Sequence, residues 1–293
     1  MSKLKVFLEM IKFEHTIFAL PYAYLGAFLA ARFFRAGGWP SWGELIWITL
    51  AMVGARTAAM GFNRLIDWRI DAKNPRTSSR AIPKGLLAPR EVIIYIVAAL
   101  LLMGYAAYRL NPLCFKLMPV AVVFLTVYSY TKRFTWLCHL VLGITDGLAP
   151  MGGWIAITGS FNLPGVLLSL AVAIWIAGFD IIYACQDWEF DKSTGLKSIP
   201  VRFGIPRSLT ISSVVHVLTA LLWAMTGVLL GRGLLYFLGV AVASVLLYRQ
   251  HQLVPPEDLS RLNFAFFNIN SYISLVMFLF TVGDLLWKVP IFY

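Results

Sequence analysis

A long apolar run of the chain ends in the nine residues 63–71, whose sequence is NRLIDWRID. Asn63, Asp67 and Asp71 stand four residues apart, and on a helix that spacing stacks three oxygen-bearing side chains along one face. A basic loop follows, which contains Lys73, Arg76, Arg80, Lys84 and Arg90. Acidic and basic residues together at the end of an apolar helix indicate a site for a metal ion and an anion.

A second acidic segment, residues 180–191, reads DIIYACQDWEFD and also ends an apolar run. Asp180, Tyr183, Asp187 and Asp191 follow one another at steps of three, four and four residues, which again predicts one helical face. The loop after it contains Lys192, Lys197, Arg202 and Arg207. The chain has only 14 acidic residues, so their concentration in two such segments is its clearest functional signal.

The composition is that of a membrane protein. Of the 293 residues, 59% are hydrophobic and 13% are charged, whereas soluble domains have about 25% charged residues. The net charge of +11 is expected to reflect cytoplasmic loops that attract anionic lipid, rather than nucleic-acid binding. The N-terminus has no pattern of a cleavable signal peptide. The three cysteines lack paired spacing, so we expect free thiols rather than disulfides or a zinc site.

Nine apolar stretches have about the 20 residues that a bilayer crossing needs. We therefore expect an all-α, polytopic membrane protein that forms a single domain over residues 1–293. The predicted spans are residues 14–33, 42–64, 91–109, 112–130, 135–158, 164–186, 209–230, 232–250 and 264–286.

The basic residues are distributed unequally between the two sides that these spans define. The side of the N-terminus holds 17 Lys and Arg residues and the other side holds six, with Arg56 and Arg64 inside the second span. This asymmetry places the N-terminus and both acidic segments in the cytoplasm and the C-terminus outside. Both segments therefore open to one compartment, as a shared site requires.

Several residues could bind ligands from this cytoplasmic side. Carboxylate and amide oxygens suit Mg²⁺, which commonly binds one or two carboxylates together with substrate phosphates. Arg56 lies two helical turns, about 10 Å, deeper than Asn63. It could pair with Asp146 or Asp180 or hold a substrate carboxylate. We expect Asp146 to face a cavity between the helices, and His139 to be an interior histidine rather than a base.

These segments resemble the UbiA superfamily of intramembrane aromatic prenyltransferases. Its Asn-x3-Asp-x3-Asp motif is matched by Asn63, Asp67 and Asp71. Its second motif is matched by Tyr183, Asp187 and Asp191. The loop 74–85, NPRTSSRAIPKG, is similar to another family element, with Ala81 in place of the usual Pro. The opening stretch 11–21, IKFEHTIFALP, resembles the branch that contains 4-hydroxybenzoate polyprenyltransferases and menaquinone-pathway enzymes.

The resemblance implies nine helices around a central cavity that two motif loops cap. It also implies Mg²⁺-dependent transfer of a polyprenyl group from its diphosphate to an aromatic ring. The implied metal and diphosphate ligands are Asn63, Asp67, Asp71, Asp187 and Asp191.

The other candidate residues have separate expected roles. Arg56 matches the position that holds the acceptor's carboxylate, and Lys132 matches a position that contacts the diphosphate. Tyr183 would line the pocket of the allylic cation, and Asp187 or Asp191 would orient the ring or accept its proton. The remaining substrate-binding candidates are Arg80, Lys84, Asp146 and Asp180.

The expected substrates are a polyprenyl diphosphate and either 4-hydroxybenzoate or a dihydroxynaphthoate, in ubiquinone or menaquinone biosynthesis. The expected location is a bacterial or archaeal cell (inner) membrane. We expect contact with lipid, but neither nucleic-acid binding nor an obligate protein partner. A transporter could also use intramembrane Arg and Asp, although transporter sites usually lie near the midplane. A CDP-alcohol phosphotransferase is disfavoured because Asp146-Gly147 lacks that family's following Ala-Arg.

Overall fold

The computed structural model describes residues 2–12, 16–35 and 38–287, with the backbone alone for residues 16–19. The described chain is helical and contains no strand, which confirms the all-α prediction. Residues 13–15 of the opening motif and residues 288–293 lie outside the described residues, so the expectations that involve them are not addressed.

Each predicted span overlaps one long helix. These helices are α2 (Thr16–Phe34), α3 (Trp42–Asp71), α4 (Pro89–Leu110), α5 (Pro112–Thr131), α6 (Cys138–Thr158), α7 (Leu163–Ala184), α10 (Ile205–Leu229), α11 (Leu234–Gln252) and α13 (Asn270–Trp287). In the described part of the chain, eight spans from α3 onward are long and apolar enough to cross a membrane. The shorter helices are α1 (Lys3–Met10), α8 (Trp188–Thr194), α9 (Ile199–Phe203) and α12 (Leu262–Phe264).

Helix α6 lies between α2 and α7, and small residues allow the close approach. A Cβ atom at Gly143 would collide with the carbonyl of Ala173 in α7, and one at Gly153 would collide with the carbonyl of Ala23 in α2. Glycine therefore allows close packing of α6 against its neighbours at both positions.

Side-chain hydrogen bonds join α2, α3 and α6 at one end of the bundle. Ser41 and Glu44 form a capping box at the start of α3, which satisfies backbone N–H groups that the helix leaves free. Arg35 binds both carboxylate oxygens of Glu44, at 2.7 and 2.8 Å, and donates to the carbonyl of Ile157 in α6.

The opposite end gathers segments that are distant in sequence. Lys3 Nζ lies 3.4 Å from a carboxylate oxygen of Glu91 at the start of α4. The backbone N–H of Lys197 donates to the carbonyl of Lys132. The N-terminus and the loops after α3, α5 and α7 therefore share one end, as the distribution of basic residues predicted.

Candidate active site

A cavity of about 1230 Å³ opens between α3, α5, α6, α7 and α13. Apolar side chains form most of its walls, and charged groups collect around the two motifs. Eleven of the twelve predicted site residues line it: Arg56, Asn63, Asp67, Asp71, Arg80, Lys132, Asp146, Asp180, Tyr183, Asp187 and Asp191. Lys84 is not among the lining residues, and it is exposed.

The first motif lies on one face of α3, as predicted, and this helix continues unbroken to Asp71. Asn63 connects the motif to its surroundings: its Nδ2 donates to Asp67 at 3.2 Å and to Ser129 at 3.3 Å. Its Oδ1 accepts from Arg64 at 2.8 Å. Both motif carboxylates are buried against the protein but face the cavity.

Each carboxylate of the first motif is paired with an arginine. Nη2 of Arg133 lies 3.0 Å from Asp67, and Nη1 of Arg80 lies 2.6 Å from Asp71. Buried carboxylates require such partners, since an unpaired buried charge is strongly destabilising.

The second motif departs from the continuous helical face that its spacing predicted. Helix α7 ends at Ala184, a 3₁₀ turn covers Cys185–Asp187, and α8 begins at Trp188. A 3₁₀ turn is wound more tightly than an α-helix, so the side chains after Ala184 no longer follow the register of α7. All four predicted positions of this segment nevertheless line the cavity.

Asp187 connects the second motif to the loop after the first one. Arg76 donates to its two oxygens at 2.9 and 2.6 Å, and Asn74 donates to it at 3.1 Å. Arg76 also donates to the hydroxyl of Tyr183 at 3.2 Å. Burial disfavours the charge of Arg76, but the hydrogen bonds to Asp187 and the charge of that carboxylate outweigh this effect and raise the pKa of Arg76.

Asp191 differs from the other motif carboxylates. It is buried and lines the cavity, but no arginine forms an ion pair with it among the described residues. Lys132 supplies the strongest electrostatic attraction to it and also attracts Asp67. The ammonium group of Lys132 therefore lies where it can attract carboxylates of both motifs.

Arg56 and Asp146 face the same cavity at greater depth. The Nε of Arg56 is buried without a hydrogen-bond partner, and Asp146 exposes its side chain to the cavity. Among the described side chains, no ion pair within 4.0 Å involves either residue. The alternative of a structural ion pair for Arg56 is therefore not observed.

Asp180 is instead paired with His139. Nδ1 of His139 lies 2.7 Å from a carboxylate oxygen of Asp180, and its Nε2 accepts from the N–H of Ile199 at 3.2 Å. Because Nε2 accepts, the ring proton lies on Nδ1 and is donated to Asp180. The histidine is thus a satisfied interior residue, as expected, and it orients Asp180 at the edge of the cavity.

The donor set suits Mg²⁺ bound together with a diphosphate. Among the described residues, no group of three or more His, Cys, Asp or Glu side chains is arranged to hold a bare metal ion. Mg²⁺ needs only one or two carboxylates when phosphate oxygens complete its coordination. The two motifs provide such carboxylates along one cavity, with lysine and arginine nearby for the remaining anionic charge.

Arg76, Arg133 and Asn74 contact motif carboxylates but were not among the predicted site residues, although Arg76 belongs to the basic loop that the sequence marked. All three are polar residues beside the predicted ones, which was the available signal. Which members of a basic loop turn inwards depends on the fold of that loop, and spacing does not reveal it.

A helical bundle that surrounds a mostly apolar cavity, with charged groups of both signs around two motifs, is the architecture of a membrane protein suited to an amphipathic ligand. Residues 23–272 match the model of the UbiA prenyltransferase family. The chain belongs to this family and is a prenyltransferase.

Curated relatives match nearly the whole chain. The 4-hydroxybenzoate octaprenyltransferase of Yersinia enterocolitica is 30% identical over 95% of this chain and 95% of its own length. The protein of the same name from Saccharophagus degradans is 28% identical, over 90% of this chain and 87% of its own length.

Solved structures share the fold. The apo structure of a UbiA homolog from Aeropyrum pernix K1 has a TM-score of 0.83 and 31% identity, covering 92% of this chain and 98% of that one. A UbiA homolog from Archaeoglobus fulgidus, bound to GPP and Mg²⁺, has a TM-score of 0.69 and 22% identity, covering 96% of this chain and 100% of that one.

Proposed function

We propose that this protein transfers a polyprenyl group from a polyprenyl diphosphate to the ring of an aromatic carboxylate during quinone biosynthesis. The observation that carries the proposal is the arrangement of one cavity. Two motifs lie at its charged mouth, and three of their four carboxylates pair with arginine. Apolar walls extend inwards, and an arginine with an unpartnered Nε lies deeper. The names of the curated relatives support 4-hydroxybenzoate as an acceptor, and a dihydroxynaphthoate has the same carboxylate.

The diphosphate would bind at the charged mouth. Asn63, Asp67, Asp71, Asp187 and Asp191 would hold Mg²⁺, which offsets the negative charge that develops on a leaving diphosphate. Arg80 and Lys132 face the same region and would contact phosphate oxygens. The A. fulgidus homolog with GPP and Mg²⁺ supports this choice of ligand and metal.

The acceptor would bind between the charged mouth and the deeper arginine. The planar guanidinium of Arg56 can donate two parallel hydrogen bonds to a carboxylate, and Asp146 can accept a hydrogen bond from a hydroxyl group. In the reaction, a ring carbon attacks the allylic carbon and the ring then loses a proton. Asp191 is better suited than Asp187 to accept it, because Arg76 already occupies both oxygens of Asp187.

We propose a bacterial or archaeal cell membrane as the location, with the motif loops in the cytoplasm. The concentration of basic residues at that end of the bundle supports this orientation. The transporter alternative gains no support, because the charged groups collect mainly at one end of the cavity and the chain belongs to an enzyme family.

The experiment is prenyl transfer by purified protein in liposomes. It uses a polyprenyl diphosphate with radiolabelled 4-hydroxybenzoate or 1,4-dihydroxy-6-naphthoate, with Mg²⁺ or EDTA. We expect Mg²⁺-dependent labelling of lipid from one acceptor. Asp67→Ala and Asp191→Ala should abolish turnover while the protein still inserts, and Asp258→Ala, in an exposed loop, should retain it. Near wild-type activity of either motif variant in Mg²⁺ would show that the two-motif site is wrong.

A further inference from the structure

The last long helix is preceded by an irregular turn that borders the cavity. Residues Ala265–Ile269 form one turn of π-helix between α12 and α13. Such turns are rare, and they occur often at functional sites because they redirect side chains within a helical segment. Phe266, Phe267 and Asn270, from this turn and the start of α13, line the cavity.

Buried amide groups hold the π-turn in place. Gln250 of α11 is fully buried, and its Nε2 donates to the carbonyl of Ala265 at 2.9 Å and to Oδ1 of Asn270 at 3.2 Å. Asn270 in turn donates to the carbonyl of Phe266 at 2.8 Å. Hydrogen bonds in a buried setting are costly to lose, so Gln250 specifies this backbone geometry.

The turn directs Phe266 onto the tyrosine of the second motif. The rings of Phe266 and Tyr183 are stacked with centroids 4.0 Å apart and planes 29° apart. The ring of Phe179 lies edge-to-face with that of Phe266, and the two ring centroids are 5.3 Å apart. These three aromatic rings form a continuous wall, and all of them line the cavity.

This aromatic wall adjoins the charged mouth. The hydroxyl of Tyr183 accepts from Arg76, which binds Asp187 through two hydrogen bonds. Tyr183 is therefore held at its hydroxyl by Arg76 and on the face of its ring by Phe266. With a diphosphate bound at the motifs, as proposed above, the allylic carbon bonded to its oxygen would lie where these two regions meet.

We propose that Phe266, positioned by the π-turn and Gln250, shields the allylic carbon from water and thereby commits it to the aromatic acceptor. The inference rests on the proposed function. When the allylic C–O bond breaks, the diphosphate keeps the electron pair. The carbon then bonds either to a ring carbon, which loses a proton, or to water, which loses a proton and gives a free prenol. Phe266 excludes the second outcome.

The test measures both products from one reaction. We assay wild-type protein and Phe266→Leu in liposomes that contain Mg²⁺, polyprenyl diphosphate and either 4-hydroxybenzoate or 1,4-dihydroxy-6-naphthoate. The assay quantifies both the prenylated acceptor and the free prenol. We expect the prenol share to rise about three- to tenfold in Phe266→Leu, a range that corresponds to the loss of one aromatic pair. Phe266→Tyr should restore the wild-type share, since it keeps the ring.

Two further variants separate shielding from general damage. Phe264→Leu changes the same residue type on an exposed position two residues away, and it should leave the prenol share unchanged. Gln250→Leu should raise the prenol share in the protein that remains folded, because it releases the π-turn.

An unchanged prenol share in folded Phe266→Leu, or an equal rise in Phe264→Leu, would overturn the inference. Failure of the wild-type protein to prenylate either acceptor would instead overturn the proposed function.

Discussion

At the scale of single residues, Arg56 is the proposed site of the acceptor's carboxylate, apart from the proposed diphosphate site. It lies eleven residues before Asp67 on the same helix, which corresponds to about 16 Å along the axis. Its Nε is buried without a partner, and among the described residues it forms no ion pair with Asp146 or Asp180. A half-buried guanidinium in this state is stabilised when a ligand supplies the anion.

We predict that Arg56→Gln raises the KM for the aromatic acceptor roughly 10- to 100-fold, because a charge-assisted hydrogen bond contributes about 1.5–3 kcal/mol. The KM for the polyprenyl diphosphate should remain unchanged. Steady-state kinetics with each substrate varied in turn measures both values. Arg109→Gln, at the opposite end of the bundle, is the control. An equal rise of both KM values in Arg56→Gln would contradict the role proposed for Arg56.

At the scale of elements, adjacent glycines of α6 have opposite surroundings. Gly153 faces the backbone of α2 so closely that a Cβ would collide with the carbonyl of Ala23. Gly152 lines the cavity, and a Cβ there would meet no atom within 4 Å. One position therefore sets the distance between two helices, and the other leaves space for substrate.

We predict that Gly153→Ala lowers the stability of the protein by about 1–3 kcal/mol, the usual cost of overpacking. Gly152→Ala should leave stability unchanged or slightly higher, since alanine favours the helix. Thermal unfolding of the two variants in detergent, followed by circular dichroism, measures the difference. Equal melting temperatures for both variants would show that α2 can move away without cost.

At the scale of the whole molecule, the site joins segments that are far apart in sequence. The first motif ends α3, the second follows α7, and Arg76 connects them through Asp187. Both lie at the end of the bundle that holds most of the basic residues, whereas the connection between α6 and α7 lies at the other end.

We predict that a cysteine at Ser193, an exposed position of α8 just after the second motif, reacts with a membrane-impermeant maleimide only from the cytoplasmic side. A cysteine at Ser160, between α6 and α7, should react only from the outside. Labelling of spheroplasts measures reaction from the outside, and labelling of inside-out vesicles measures reaction from the cytoplasmic side. Both experiments use a protein in which the three native cysteines are replaced by serine. The reverse pattern would show that the charge asymmetry does not determine the orientation.

Much of this architecture was predictable because its signals are local. Apolar runs of about 20 residues indicate membrane helices from their length alone, and each predicted span overlaps a long helix. The four-residue spacing of Asn63, Asp67 and Asp71 predicted one helical face, and α3 runs unbroken through it. The same argument was wrong about the continuity of the second segment, because nothing in its spacing marks the 3₁₀ turn at Cys185–Asp187.

The sequence by itself determined the helical membrane fold, the two acidic motifs and their position at one end, since each follows from hydrophobicity, charge and periodicity. Only the tertiary structure decided which charges are paired: Arg76 with Asp187, His139 with Asp180, and Arg56 with no carboxylate in the described chain. It also decided that a π-turn directs Phe266 onto Tyr183. Such pairings depend on how helices and loops pack in three dimensions, and residues far apart in a chain carry no local signal of that contact.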